Sequence, residues 1–136
     1  MIEIKSDKII TPNGLKSGYV YIDNGLIDGF FEKQRSDITC DERYDFTGKY
    51  VSPGFIDLHT HGAGGYPFIN CTEDDVINAC NFHLTHGTTS IMPTVTAGAF
   101  DTMREAVAKI SAVKRKNKAK SNIIGAHLEG PYLSAK

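Results

Sequence analysis

The chain has 136 residues, of which 40% are hydrophobic and 23% charged, an ordinary globular balance with length enough for one core. Its 15 basic and 16 acidic residues leave a net charge of −1, which removes the electrostatic ground for expecting nucleic acid or an anionic membrane as a partner. Cys40, Cys71 and Cys80 are an odd count without paired spacing, which excludes a disulfide scaffold and fits reduced, partly buried thiols.

The start, "MIEIKSDKII", lacks the continuous apolar centre of a signal peptide. No later stretch approaches the roughly 20 apolar residues that span a bilayer, so the expected location is the cytoplasm. Residues 1–50 read as short strands and turns, with "IEIKSDKII" and "GYVYID" rich in β-formers. Asn24-Gly25 is a hairpin signal, because a two-residue turn needs positive φ at both centres, and Asn13-Gly14 is a second turn signal.

The pattern changes after "DFTGKY". "VSPGFIDLH" is a mostly apolar run opened by Pro53 and Gly54, predicted as a strand buried on both faces. Thr72, followed by Glu73, Asp74 and Asp75, predicts a helix start, a hydroxyl cap with carboxylates over the positive end of the dipole. Val76, Ile77, Cys80 and Leu84 form its inner face, and Gly87 ends it. "TTSIMPTVT" is a second strand. A second helix runs from Ala99 with Phe100, Met103, Val107, Ile110 and Val113 at helical spacing, and "SNIIGAHLEG" is a third strand.

Strand, helix, strand, helix, strand indicates parallel α/β architecture. A (β/α)8 barrel takes about 250 residues. The expected fold is therefore a small β-layer over residues 1–50, followed over 51–136 by two repeats and a third strand of an incomplete barrel. Such a partial barrel has an open sheet edge.

The chemistry gathers at strand ends. Residues i and i+2 of a strand point the same way, so His59 and His61 can aim two imidazoles at one ion while Thr60 faces away. Two neutral nitrogens suit zinc, iron, cobalt or nickel better than magnesium or calcium. Glu129 ends the third strand at the same C-terminal edge, where parallel barrels carry their active sites. Two histidines and a carboxylate leave a position open for water, the pattern of a hydrolytic metal site. Gly62, Gly64 and Gly65 would let backbone and substrate come close.

His83 and His86 read as helix-end histidines, favoured there by the dipole. His127 shares a strand face with Glu129 and either lines the site or fills a barrel layer. "KRKNKAK", residues 114–120, ends an amphipathic helix without interleaved aromatics and reads as a solvated face.

"PGFIDLHTHG" resembles the first-strand motif of the amidohydrolase superfamily, and the β-rich segment before it resembles the small sandwich domain of those enzymes. "HLEGPYLS", with "HGTTSIMPTV" upstream, is similar to the N-acetylglucosamine-6-phosphate deacetylase family within it. The resemblance implies that Glu129 binds the catalytic divalent ion, zinc or iron foremost, and that His59 and His61 hold a second ion in two-metal members. It implies hydrolysis of the acetamide of an amino-sugar phosphate by activated water, to glucosamine 6-phosphate and acetate, in a homodimer. An aspartate of the last barrel strand would move the proton.

The same resemblance assigns two more metal-binding histidines, that aspartate and the phosphate-binding residues to later strands and loops. None lies within these 136 residues, and Asp57, expected deeper on the same strand as His59, is no substitute. The chain alone is expected to be inactive. Two alternatives stand beside this. One is part of a cyclic amidase or dihydroorotase-like enzyme, in which arginine or a similar polar group often follows His-x-His, where this chain has "GAGG". The other is a metal-binding module without catalysis.

Overall fold

Two hairpins organise the N-terminal part of the molecule. The structure, a computed structural model, describes residues 1–134, which fall into two compact units, Met1–Pro53 and from Gly54 onward. The first unit is a five-stranded sheet of β1 (Ile2–Thr11), β2 (Gly14–Asp23), β3 (Leu26–Phe31), β4 (Glu42–Asp45) and β5 (Tyr50–Val51). β2 lies antiparallel between β3 and β1, while β4 and β5 run parallel to β1 along its other edge. Asn24 and Gly25 both take positive φ, 49° and 79°, and close the second hairpin as expected. In the first hairpin the two turn residues are Pro12 and Asn13, and Gly14 at φ 93° pairs with Thr11, so the glycine ends the turn instead of centring it.

Glu3 is nearly fully buried in this unit and remains satisfied. Its carboxylate accepts from Tyr21 Oη at 2.9 Å and from Gln34 Nε2 at 2.9 and 3.1 Å, while Arg35 N–H donates to Tyr21 Oη. Burial, more than the neighbouring Glu3, raises the Tyr21 phenol above its ordinary range. Val51 pairs with Ile9, so residues 51 to 53 sit with the first unit and the division falls after Pro53, three residues past the expected boundary.

The second unit is built on β9 (Thr88–Val95). β6 (Phe55–Thr60) runs parallel along one side of it, and β10 (Asn122–Ile123) and β11 (His127–Leu128) run parallel along the other. A small hairpin of β7 (Gly62–Ala63) and β8 (Tyr66–Pro67) follows β6. Helices α1 (Glu73–Thr85) and α2 (Phe100–Arg115) connect the strands. The core joins Val76, Ala79 and Cys80 of α1, Ile91 and Val95 of β9, and Met103, Ala106, Ile110 and Val113 of α2.

Thr72 caps α1 through a capping box. Its hydroxyl accepts the Asp75 N–H at 3.1 Å, and the Asp75 carboxylate accepts the Thr72 N–H at 2.7 Å. These bonds hold the Asp75 carboxyl below its usual range. Gly87, at φ 91°, follows the cap residue His86 and lets the chain turn into β9.

Three expectations change. β6 is not buried on both faces: Phe55, Ile56 and Leu58 are 67%, 66% and 56% exposed, because its only partner among the described residues is β9. Phe100, read at helical spacing with Met103, Val107, Ile110 and Val113, is the first residue of α2 and lies 68% exposed. The third strand is two segments, not one.

The reason for that break lies in β9. Ile91 O accepts from Ile124 N and Val95 O accepts from Glu129 N, so Pro93, midway between, also faces the third strand. A proline has no N–H to give there, and opposite it the third strand carries one extra residue between its paired positions, Ile123↔Ile91 and His127↔Thr94. The basic run at the end of α2 works within the fold. Lys116 and Lys118 pair with Glu73 at 2.8 and 3.3 Å, and Lys114 Nζ donates to Ile124 O. No helix among the described residues is long and apolar enough to cross a membrane.

Candidate metal centre

The register of β6 shifts between Asp57, opposite Ile91, and Thr60, opposite Pro93, three steps against two. Within the shift the Thr60 N–H donates to the Thr94 hydroxyl at 3.1 Å instead of a ladder carbonyl. The extra residue separates the side chains in an unexpected way. Asp57 and Thr60 both reach His83 of α1, with Asp57 Oδ2 3.9 Å from Nδ1 and Thr60 Oγ1 3.2 Å from Nε2. Asp57 therefore does not share the inner face with His59; its Oδ1 instead accepts the His59 N–H at 3.1 Å.

His59 and His61 project away from α1, toward the end of the third strand. Their Nε2 atoms are 3.3 Å apart, and Glu129 Oε2 lies 3.3 Å from the first and 3.2 Å from the second. The three atoms make a nearly equilateral triangle. Glu129 Oε2 is buried and has no hydrogen-bond partner among the described residues, although both nitrogens are near it. An unpartnered buried carboxylate oxygen is costly unless something between the three atoms accepts its lone pair. A tetrahedral ion bound at about 2.0–2.1 Å separates its ligand atoms by about 3.3–3.4 Å, so the triangle fits a first-row metal by distance as well as by donor type.

The imidazoles are about half exposed, 50% and 47%, which leaves one side of the triangle open to a further ligand. His127 does not join the triangle: its ring packs edge-on against His59 at 4.7 Å, so it supports a ligand-bearing ring from the side.

The glycines after His61 serve the loop first. Gly62 stands at φ 138°, and a Cβ there would meet Tyr66 O at 2.2 Å; at Gly64 it would meet the Phe82 ring at 2.8 Å. Only Gly65 borders open space, where it and Tyr66 help line a shallow depression beside His61. His83 stands in the last turn of α1, as its helix-end reading has it, but it also turns inward to Thr60 and Asp57, which that reading missed. Its spacing carried the signal, since Val76, Cys80 and His83 stand at i, i+4 and i+7 on the buried stripe. His86 stays a helix-end histidine, with its Nδ1 3.0 Å from Phe82 O at the end of α1.

No family model matches the chain. It is 30% identical over 145 residues to the N-acetylglucosamine-6-phosphate deacetylase of Caenorhabditis elegans, an alignment covering 99% of this chain and 34% of that protein. It is 36% identical over 108 residues to the Homo sapiens protein of the same name, covering 77% of this chain and 25% of that one. The crystal structure of N-acetyl-D-glucosamine-6-phosphate deacetylase from Mycobacterium smegmatis superposes with a TM-score of 0.81 at 26% identity, over 98% of this chain and 37% of that one. The chain thus spans between a quarter and just over a third of the length of these relatives.

Proposed function

Because this chain is homologous to the N-terminal third of the N-acetylglucosamine-6-phosphate deacetylases, we propose that it forms the first part of the active site of such a metal-dependent deacetylase. In this reading residues 1–50 begin the small β-sandwich domain, and the second unit is the opening β-α-β-α-β of the (β/α)8 barrel. The observation that carries the proposal is the convergence of His59 Nε2 and His61 Nε2 on Glu129 Oε2, a buried oxygen with no hydrogen-bond partner among the described residues. The resemblance assigned Glu129 to one ion and the histidine pair to another; with the three donor atoms 3.2–3.3 Å apart, they would hold one ion jointly.

A divalent ion bound there would polarise an amide carbonyl and make a water acidic enough to attack it near neutral pH. The chain's own residues prepare that event. Asp57 fixes the His59 backbone, His127 supports the His59 ring, and the half-exposed imidazoles leave room for an amide to enter. Asp57 is turned toward His83 and is not placed to move the proton of the attacking water. Hydrolysis of N-acetylglucosamine 6-phosphate therefore needs residues beyond this segment.

Joining the chain to the C-terminal two thirds of a relative and measuring acetate release tests the reading. The joined protein is expected to release acetate from N-acetylglucosamine 6-phosphate, and His61→Ala within it to lose at least 100-fold, while the chain alone releases none. Activity in the joined protein that is indifferent to His61→Ala would refute it.

A further inference from the structure

We propose that His83 is a positioning residue for the metal centre, one that holds the Thr60 side chain between the ligands from the helix side and so sets metal affinity without touching the ion. The inference rests on the metal reading above. His83 sits in the last turn of α1 with its side chain 19% exposed, so it is held in place by packing. Its Nε2 is 3.2 Å from the hydroxyl of Thr60, the residue between the two ligand histidines, and its Nδ1 faces Asp57 Oδ2 at 3.9 Å. The Thr60 hydroxyl also donates to Gly62 O at 3.4 Å, so the ring tautomer sets the direction of the His83 Nε2 bond, while Nδ1 faces the Asp57 carboxylate beyond hydrogen-bond distance.

The residues gripped are the ones that orient the ligands. Asp57 Oδ1 accepts the His59 N–H at 3.1 Å, and the Thr60 N–H is itself fixed on Thr94. The register shift lies in this same stretch, so the ordinary sheet ladder does not hold it. Without His83, the segment carrying His59 and His61 keeps the Thr94 bond but loses its anchor to α1. Partners that orient metal ligands from behind typically change metal affinity about 10–100-fold when removed.

Zinc affinity measured by chelator competition, on the chain with His83→Leu, His83→Gln and Thr60→Val, tests this, with Leu84→Ala as a control for general loosening of α1. His83→Leu is expected to weaken zinc binding 10–100-fold and Thr60→Val about tenfold, with the double variant no weaker than His83→Leu alone. His83→Gln, which keeps a polar atom near Thr60, is expected to stay within a few-fold of the wild type. Leu84→Ala should lower thermal stability and leave zinc affinity unchanged. If His83→Leu does not fold, Thr60→Val carries the test through the hydroxyl alone. Unchanged zinc affinity in His83→Leu, or in Thr60→Val where His83→Leu is lost, overturns the proposal while the metal centre stands. A wild-type chain that binds no zinc overturns the metal reading, and this inference with it.

Discussion

Glu129 Oε2 lies 3.2 Å from His61 Nε2 and yet makes no hydrogen bond among the described residues. Two atoms that close, with no hydrogen bond between them and a second imidazole nitrogen 3.3 Å away, describe a place for a cation better than a pair bonded to each other. Without an ion, that buried oxygen faces two imidazole nitrogens and makes no hydrogen bond among the described residues.

That oxygen predicts an inversion of stabilities. Glu129→Gln removes the charge, so the metal-free variant should unfold at the same temperature as the metal-free wild type or above it. Zinc at 100 times its dissociation constant should stabilise the wild type by about 2.7 kcal/mol and the variant by far less. Thermal melts with and without zinc check both halves.

The loop after His61 predicts a ranking of glycine substitutions. Gly62→Ala combines a positive φ with a Cβ 2.2 Å from Tyr66 O and should cost about 2 kcal/mol or more. Gly65→Ala has the positive φ but open space and should cost about 1 kcal/mol. Urea denaturation of the two variants decides the order.

The α1 cap predicts a pH dependence. Thr72→Ala should cost about 1 kcal/mol. The Asp75 carboxyl is held below its ordinary value by the Thr72 N–H and hydroxyl, so it ionises at lower pH folded than unfolded. Its contribution is present above the unfolded value of about 3.9 and is lost as pH falls through the lower folded one. Asp75→Asn should therefore be less stable than wild type at pH 7, with the gap closing below about pH 4 in denaturation series.

The thiols predict selective labelling. Burial pushes Cys80 up to about 11 and raises Cys71, and both side chains lie in the core, whereas Cys40 is half-buried. At pH 8 one thiol, Cys40, should react rapidly with an aromatic disulfide reagent, and all three should react in denaturant.

Local chemistry made much of this legible in the sequence. Asn24-Gly25 announces its turn because few other pairs take positive φ twice, and Thr72 with Asp75 announces a cap through two reciprocal bonds. His59, His61 and Glu129 were legible as one edge because strand parity and strand order place them there. What escaped depends on relations between strands. A one-residue shift in β6 turned Asp57 away from His59, and the missing N–H of Pro93 coincides with the break in the third strand; neither shift follows from counting alternation. The exposure of Phe55, Ile56 and Leu58 escaped because an apolar run announces burial without saying which partner covers it.

The most direct test is a cobalt(II) titration of the metal-free chain, followed by visible absorption, beside the same titration of Glu129→Gln. One equivalent bound by the wild type, with intense bands of a low-coordinate site that are lost in the variant, is the result predicted. Absence of binding by the wild type, or equal binding by the variant, would contradict a centre built from His59, His61 and Glu129.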